Sequence, residues 1–202
     1  MMGLQDIGAA DEIALLASTV RGVHLEELPP EGELHPVHNL LLSLTALMEQ
    51  CSSTWPKSEL VANRLCELYL NGSRQVQPMR EAAATVILGL LPRHPAVCLD
   101  AMAELLQSFE GQEGEGAALS ALSKSTEAMM RLSQEGGGIQ SAPDAARAAL
   151  QLVRQLIRET PGAVLSSQCR EALHAHLGLA IESVKNPHPD STRAAVLLLK
   201  EL

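Results

Sequence analysis

The sequence predicts an all-α protein, and three features of its 202 residues support this prediction. Aromatic residues are nearly absent, with Trp55, Tyr69 and Phe109 as the whole set, so the interior must be built from aliphatic residues and Met. Leu, Ala and Met lose little rotamer freedom in helices, whereas β-sandwiches and barrels draw on aromatic and β-branched residues. Apolar residues also recur at helical spacing, and Pro and Gly mark the ends of the periodic segments.

The first half of the chain is expected to hold five helices. Residues 1–34 contain a short N-terminal helix followed by an acidic, Pro-rich loop. The second helix begins at Pro36, where a missing N–H costs no hydrogen bond. Its apolar stripe is the clearest in the chain and comprises Val37, Leu40, Leu41, Leu44, Leu47, Met48 and Cys51. The next three helices are predicted at Pro56–Leu70, Pro78–Leu91 and Pro95–Phe109.

Two glycine-rich segments interrupt the second half. Residues 110–116 hold three Gly and three Glu, and residues 134–142 include Gly136, Gly137 and Gly138, so both are predicted to be flexible surface loops. The helices expected around them span 117–133, 143–159, 166–185 and 190–202. In the long helix at 166–185, the side chains expected to face the interior are Cys169, Leu173, Leu177, Ala180, Ile181 and Val184.

Two stretches of the chain share a pattern. Residues 76–91 read Val-Gln-Pro-Met-Arg-Glu-Ala-Ala-Ala-Thr-Val-Ile-Leu-Gly-Leu-Leu, and residues 188–202 read His-Pro-Asp-Ser-Thr-Arg-Ala-Ala-Val-Leu-Leu-Leu-Lys-Glu-Leu. In each, a proline-bearing turn leads to Arg, small residues and an aliphatic run. Residues 146–149, Ala-Arg-Ala-Ala, form a weaker third copy. The pattern resembles the second helix of HEAT- and armadillo-type repeats.

This resemblance implies an architecture for residues 35–202: a right-handed α-solenoid of about four antiparallel helix pairs. It also implies that Arg80, Arg147 and Arg193 are structural residues that bond neighbouring turns within the repeat stack. The alternative is an irregular helical bundle in which the Arg-Ala-Ala triplets arise by chance.

Charge and cysteine usage argue against a nucleic-acid-binding protein, a membrane-binding protein and a disulfide-stabilised secreted protein. The net charge is −9, and no basic run of the kind that binds a phosphate backbone or an anionic membrane surface occurs. A signal peptide and an apolar run long enough to span a bilayer are not expected either. The four cysteines, Cys51, Cys66, Cys98 and Cys169, are far apart and are interpreted as free buried thiols. We therefore expect a cytoplasmic or nuclear protein.

Motifs that carry chemistry are not found in the sequence. Cys169, His174 and His176 form the tightest group of metal-ligating residue types, but Cys169 and His176 are about 10 Å apart along a helix and His174 points elsewhere. A phosphate-binding loop and a nucleophile elbow are absent. We therefore predict no catalytic, cofactor-binding or metal-binding residues, and no cofactor.

The function expected from this architecture is protein binding, as a scaffold or regulatory subunit. Side chains from successive second helices would form a groove for a partner helix or extended peptide. The acidic surface is explained equally well by a basic partner segment or by solubility. The alternative is a structural segment of a larger solenoid or complex, since the final helix is apolar nearly all round and we expect the chain to continue in a longer protein. The candidate interface in that helix comprises Val196, Leu197, Leu198 and Leu199.

Overall fold

Every regular element in the described part of the chain is helical, in agreement with the predicted all-α class. The computed structural model describes residues 36–50, 56–73, 77–109, 113–134, 138–185 and 188–202, and no strand occurs among them. The predicted N-terminal helix and loop in residues 1–34, and Cys51, lie outside these ranges. The chain divides into two compact units, Met1–His94 and Pro95–Leu202.

Three helices form the described part of the first unit: α1 (Pro36–Gln50), α2 (Glu59–Ser73) and α3 (Gln77–Leu90). Both α1 and α2 pack against α3, whose Ala82, Ala83 and Ala84 are buried and allow close approach. Tyr69 is completely buried in this core. The core also includes Leu41, Met48, Leu65, Met79, Ile87 and Leu90.

The described part of the second unit contains six α-helices. Their bounds are α4 (Pro95–Leu106), α5 (Glu113–Gln134), α6 (Pro143–Glu159), the single turn α7 (Pro161–Val164), α8 (Arg170–Lys185) and α9 (Pro189–Glu201). Short 3₁₀ turns lie at Gly138–Ser141 and Ser167–Cys169. Helix α6 is central, since it packs against each of the other five helices. Nine of its residues are buried, four of them alanines that let neighbouring backbones come close.

Ion pairs join α6 to two of its neighbours, α4 and α9. The guanidinium of Arg147 donates two hydrogen bonds to the Asp100 carboxylate on α4, at 2.6 and 3.1 Å. On α9, Glu201 accepts from Arg154 at 2.9 Å and from Arg158 at 3.0 Å. The C-terminal ends of α6 and α9 therefore meet, and the two helices run parallel.

Two predicted boundaries in the second unit are wrong. Residues 113–116, assigned to the flexible loop at 110–116, are the first turn of α5. Glycine in a helix costs about 1 kcal/mol, but an acidic residue in the first turn, here Glu115, interacts favourably with the helix dipole and offsets part of that cost. The preceding helix ends at Glu159 as predicted, and Pro161 begins the separate turn α7, because proline fits the first position of a helix. The helix predicted at 166–185 accordingly begins only at Arg170.

Several residues predicted to face the interior are exposed. Leu40 and Leu47 on α1 and Ile181 and Val184 on α8 each expose about half of their surface. On α8 the buried face contains His176, Leu179 and Ser183 together with Ala180, which was predicted to be buried. That face is rotated by about 100°, one residue along the helix, from the predicted one. None of the described helices is long and apolar enough to cross a membrane.

Candidate functional site

An open groove lies between α5 and α8 in the second unit. It consists of two adjoining cavities of about 600 and 270 Å³, and both are lined by Thr126, Met130 and Ala175. The first cavity extends from Leu119 on α5 to Gln168 before α8, and the second reaches Ser133 and Glu182. Residue numbers rise together along the two walls, so α5 and α8 run parallel on either side of the groove. Its apolar lining comprises Leu119, Leu122, Met129, Met130, Ala172, Ala175 and Leu179.

The composition of the two helices explains why the groove stays open. On the α8 side the wall is made of small residues, Ala172, Ala175 and Gly178. A Cβ added to Gly178 would meet nothing within 4 Å, so the space above this position is unfilled. On the α5 side Met130 projects with 55% of its surface exposed. Methionine is flexible and adapts its shape to different contacts, as surfaces that bind partner helices require.

A buried hydrogen bond joins the two walls below the groove. His176 Nε2 and Ser125 Oγ are 2.9 Å apart, and His176 Nδ1 is 2.9 Å from the carbonyl oxygen of Ala172. The carbonyl can only accept, so Nδ1 carries the proton and Nε2 accepts from the Ser125 hydroxyl when the ring is neutral. Burial lowers the pKa of His176, and the hydrogen bond to Ala172 opposes this shift in part. The ring is therefore neutral near pH 7 and fixes the position of α8 against α5.

The neutral ring of His176 makes stability depend on pH. The pKa of His176 is lower in the folded chain than its ordinary value of 6.5, so the unfolded chain binds more protons as the pH falls below about 6.5. We expect the urea midpoint to decrease between about pH 8 and pH 5, and His176→Gln to flatten this dependence. Exposed His174 on the same helix provides the matched control, His174→Gln. Equal pH dependence in both variants would contradict the role of His176.

The rim of the groove is acidic. The ionisable side chains among the described lining residues are Glu127, Glu171, Glu182, the buried Cys169 and neutral His176. Glu127 also pairs with Lys124 at 2.9 Å on the exposed surface of α5, but Lys124 is not part of the lining. The groove therefore combines an apolar floor with a negatively charged edge.

The three arginines predicted to be structural occupy different environments. Arg80 donates one hydrogen bond of 3.3 Å to the carbonyl oxygen of Ser73 within the first unit. Arg147 makes the two-bond ion pair with Asp100 on α4, which raises its pKa. Arg193 is exposed on α9.

The candidate interface on α9 divides into two faces. Leu198 is completely buried against the rest of the second unit and is a core residue rather than an interface residue. Leu197 is half-buried, whereas Val196 and Leu199 expose 39% and 43% of their surface. The helix turns 100° per residue, so four consecutive residues cannot share one face. Only Val196 and Leu199 remain available to a partner.

The described residues contain no cluster of three His, Cys, Asp or Glu side chains that could hold a metal ion. A third cavity of about 490 Å³ lies between α4 and α6 and is polar. Its charged lining residues include Asp100 and Arg154, which already pair with Arg147 and Glu201. Comparison of the chain with protein-family models, curated proteins and solved structures finds no match.

Proposed function

We propose that this chain is a non-enzymatic scaffold or regulatory subunit of HEAT or armadillo type, and that its α5–α8 groove receives a helix of a partner protein. The observation that carries the proposal is an open apolar channel between two parallel helices. Its walls extend over residues 119–133 and 168–182, which corresponds to about 21 Å along each helix. An amphipathic helix of about four turns fills a channel of that length.

The spacing of the contacts in the second unit supports the repeat architecture. Arg147 and Asp100 are 47 residues apart, and so are Arg154 and Glu201. Ser125 and His176, which join α5 to α8, are 51 residues apart. In a stack of helix pairs, each helix packs beside the equivalent helix of the next pair, so contacting residues are separated by a near-constant number of residues in the sequence. HEAT and armadillo repeats have periods of about 40–47 residues. In this proposal α5–α6 and α8–α9 are successive repeats, and Arg147 bonds one repeat to the preceding helix.

The Ser125–His176 pair does not favour an enzyme, although a serine bonded to histidine is typical of nucleophilic catalysis. Ser125 is completely buried and His176 is almost so, which leaves no path for a substrate to the hydroxyl oxygen. The other ring nitrogen faces the carbonyl oxygen of Ala172 instead of a carboxylate. Both features suit a hydrogen bond that holds two helices together.

The groove proposal can be tested by photo-crosslinking inside cells. A photoreactive amino acid replaces Met130 in the groove or, in a second protein, Val184 on the far side of α8. Both side chains are about half exposed, so the two substitutions are matched. We expect specific crosslinks at position 130, and we expect Met130→Glu to weaken binding of the purified partner at least tenfold while Val184→Glu leaves it unchanged. Partner binding that survives Met130→Glu contradicts the proposal.

The second candidate function is that of a structural segment that packs against further helices through its C-terminal hairpin. The supporting observation is the exposure of apolar side chains on both helices of that hairpin, Ile181 and Val184 on α8 and Val196 and Leu199 on α9. The same two crosslinking positions distinguish the candidates. Crosslinks at position 184, and loss of binding with Val184→Glu, favour the structural segment.

A further inference from the structure

We propose that the occupant of the α5–α8 groove is a cationic amphipathic α-helix, with an apolar stripe on the groove floor and Lys or Arg side chains beside the rim. This inference rests on the proposed function and adds the chemical class of the partner. Three observations carry it: the distribution of charge around the groove, the small residues along α8, and the helical nature of both walls.

Charge is segregated on the two helices that form the groove. Glu127 on α5 and Glu171 and Glu182 on α8 line it. Of the basic side chains of these helices, Lys124, Arg131, Arg170 and Lys185 are all outside the lining. A partner with Lys or Arg at the flanks of its apolar stripe meets Glu171 and Glu182 on the α8 wall. On the α5 wall it meets Glu127, which Lys124 also contacts at 2.9 Å. Such charge complementarity increases the association rate with a cationic partner and disfavours anionic partners.

The α8 wall allows a partner helix to approach closely. Ala172, Ala175 and Gly178 follow one another at three-residue spacing and line the groove. The space above Gly178 is empty, since an added Cβ meets nothing within 4 Å. Apolar side chains of a docked helix therefore have room there, and opposite them lie Met129 and Met130 of α5. Leu or Ile side chains at helical spacing are the groups that best fill such a channel.

A helix fits the groove better than an extended peptide. Both walls are helices whose backbone N–H and C=O groups are already paired within the helix. An extended peptide would bury backbone donors and acceptors against these walls without partners, which is unfavourable. A helix brings its own backbone hydrogen bonds and presents only side chains.

Gly178→Leu is the decisive variant, because it blocks the groove without removing any contact. Leucine has the higher helix propensity, so we expect the melting temperature of the variant to be equal to or above that of the parent chain. Gly162→Leu is the matched control. A Cβ at Gly162 also meets nothing within 4 Å, and this residue of α7 does not line the groove. Glu127→Gln and Glu171→Gln test the rim separately.

The probe is an 18-residue synthetic peptide of Leu and Lys with its Leu residues at helical spacing. A version with Glu in place of Lys and a scrambled version of the same composition serve as comparisons. Binding to the full chain is measured by fluorescence anisotropy at about 50 and 300 mM NaCl, over which range screening weakens exposed charge pairs. We expect the cationic helix to bind at least tenfold more tightly than either comparison. Gly178→Leu should weaken binding of the cationic peptide at least tenfold. Glu127→Gln and Glu171→Gln should each reduce the salt dependence of that binding.

Three results would overturn the inference: equal binding of the Glu peptide, equal binding of the scrambled peptide, or binding unaffected by Gly178→Leu. The last result would mean that the cationic peptide associates with the acidic chain without using the groove. If the peptides fail but the partner crosslinked at position 130 is lost with Met130→Glu, the groove still binds a protein and only the assignment of a cationic helix is wrong. If the position-130 crosslink also fails, the proposed function fails with it.

Discussion

Replacing Leu198 with Glu is expected to lower the free energy of unfolding by more than about 4 kcal/mol. Leu198 is completely buried where α9 packs against α6 and α8. Truncating a buried leucine alone costs about 2–5 kcal/mol. The glutamate also introduces a carboxylate that must either be protonated or move to the solvent, and each costs further free energy. The substitution therefore destabilises the second unit by two independent mechanisms.

The controls for this prediction lie on the same helix. Val196→Glu and Leu199→Glu place the same charge at positions that are 39% and 43% exposed, and each should change stability by less than about 1 kcal/mol. Urea unfolding monitored by circular dichroism at helical wavelengths measures all three variants. A similar midpoint for the Leu198 and Leu199 variants would show that Leu198 is not a core residue. Because Leu198→Glu is expected to destabilise the second unit, tests of a C-terminal interface should use Val196 and Leu199 instead.

The helices themselves were predictable because apolar periodicity and Pro positions are local signals. Pro36, Pro95 and Pro143 were each expected near the start of a helix, and a helix begins at each of them. Gly114 and Gly116 were predicted to lie in a loop, but both belong to α5. Isolated glycines are tolerated in a helix when the rest of it is stabilised by packing. The start of α5 was therefore placed too late.

The buried face of α8 was harder to predict, because two neighbouring stripes compete. One stripe holds Leu173, Leu177, Ile181 and Val184 and has the greater hydrophobicity. The other, which is buried, includes His176 and Ser183. A buried histidine is tolerated because Ser125, 51 residues earlier, supplies a hydrogen-bond partner for it. A tertiary contact of this kind leaves no periodic signal in the sequence.

The sequence analysis expected a groove lined by the second helices of successive repeats, whereas the observed groove lies between α5 and α8, the first helices of the proposed repeats. Its walls, residues 119–133 and 168–182, are well separated in the chain, and neither wall carries a conspicuous motif. The available signal was the weak apolar stripe of α5, which mixes Met129 and Met130 with Ser and Thr. A stripe of that composition is expected where one helical face is only half covered by the rest of the protein.

Tyr69→Ala is the second substitution for which we expect a large effect, a loss of about 4–5 kcal/mol in the stability of the first unit. Tyr69 is completely buried, and it is the only tyrosine in the chain. Its hydroxyl lies 2.9 Å from the carbonyl oxygen of Leu41 and 2.8 Å from Thr45 Oγ1, so it joins α2 to α1. Burial raises the pKa of Tyr69 to about 12, although the hydrogen bond from Thr45 opposes this shift. The phenol therefore remains a neutral donor at physiological pH.

Tyr69→Phe separates the contribution of the ring from that of the hydroxyl. This variant should lose only about 1–2 kcal/mol, since Thr45 Oγ1 also lies 2.8 Å from the Leu41 carbonyl oxygen and can donate to it when the phenol is removed. The alanine variant in addition leaves a cavity at the buried position of the ring. Denaturant unfolding of both variants gives the two values. Equal losses for Phe and Ala would mean that the hydroxyl bonds, rather than the packing of the ring, hold α1 and α2 together.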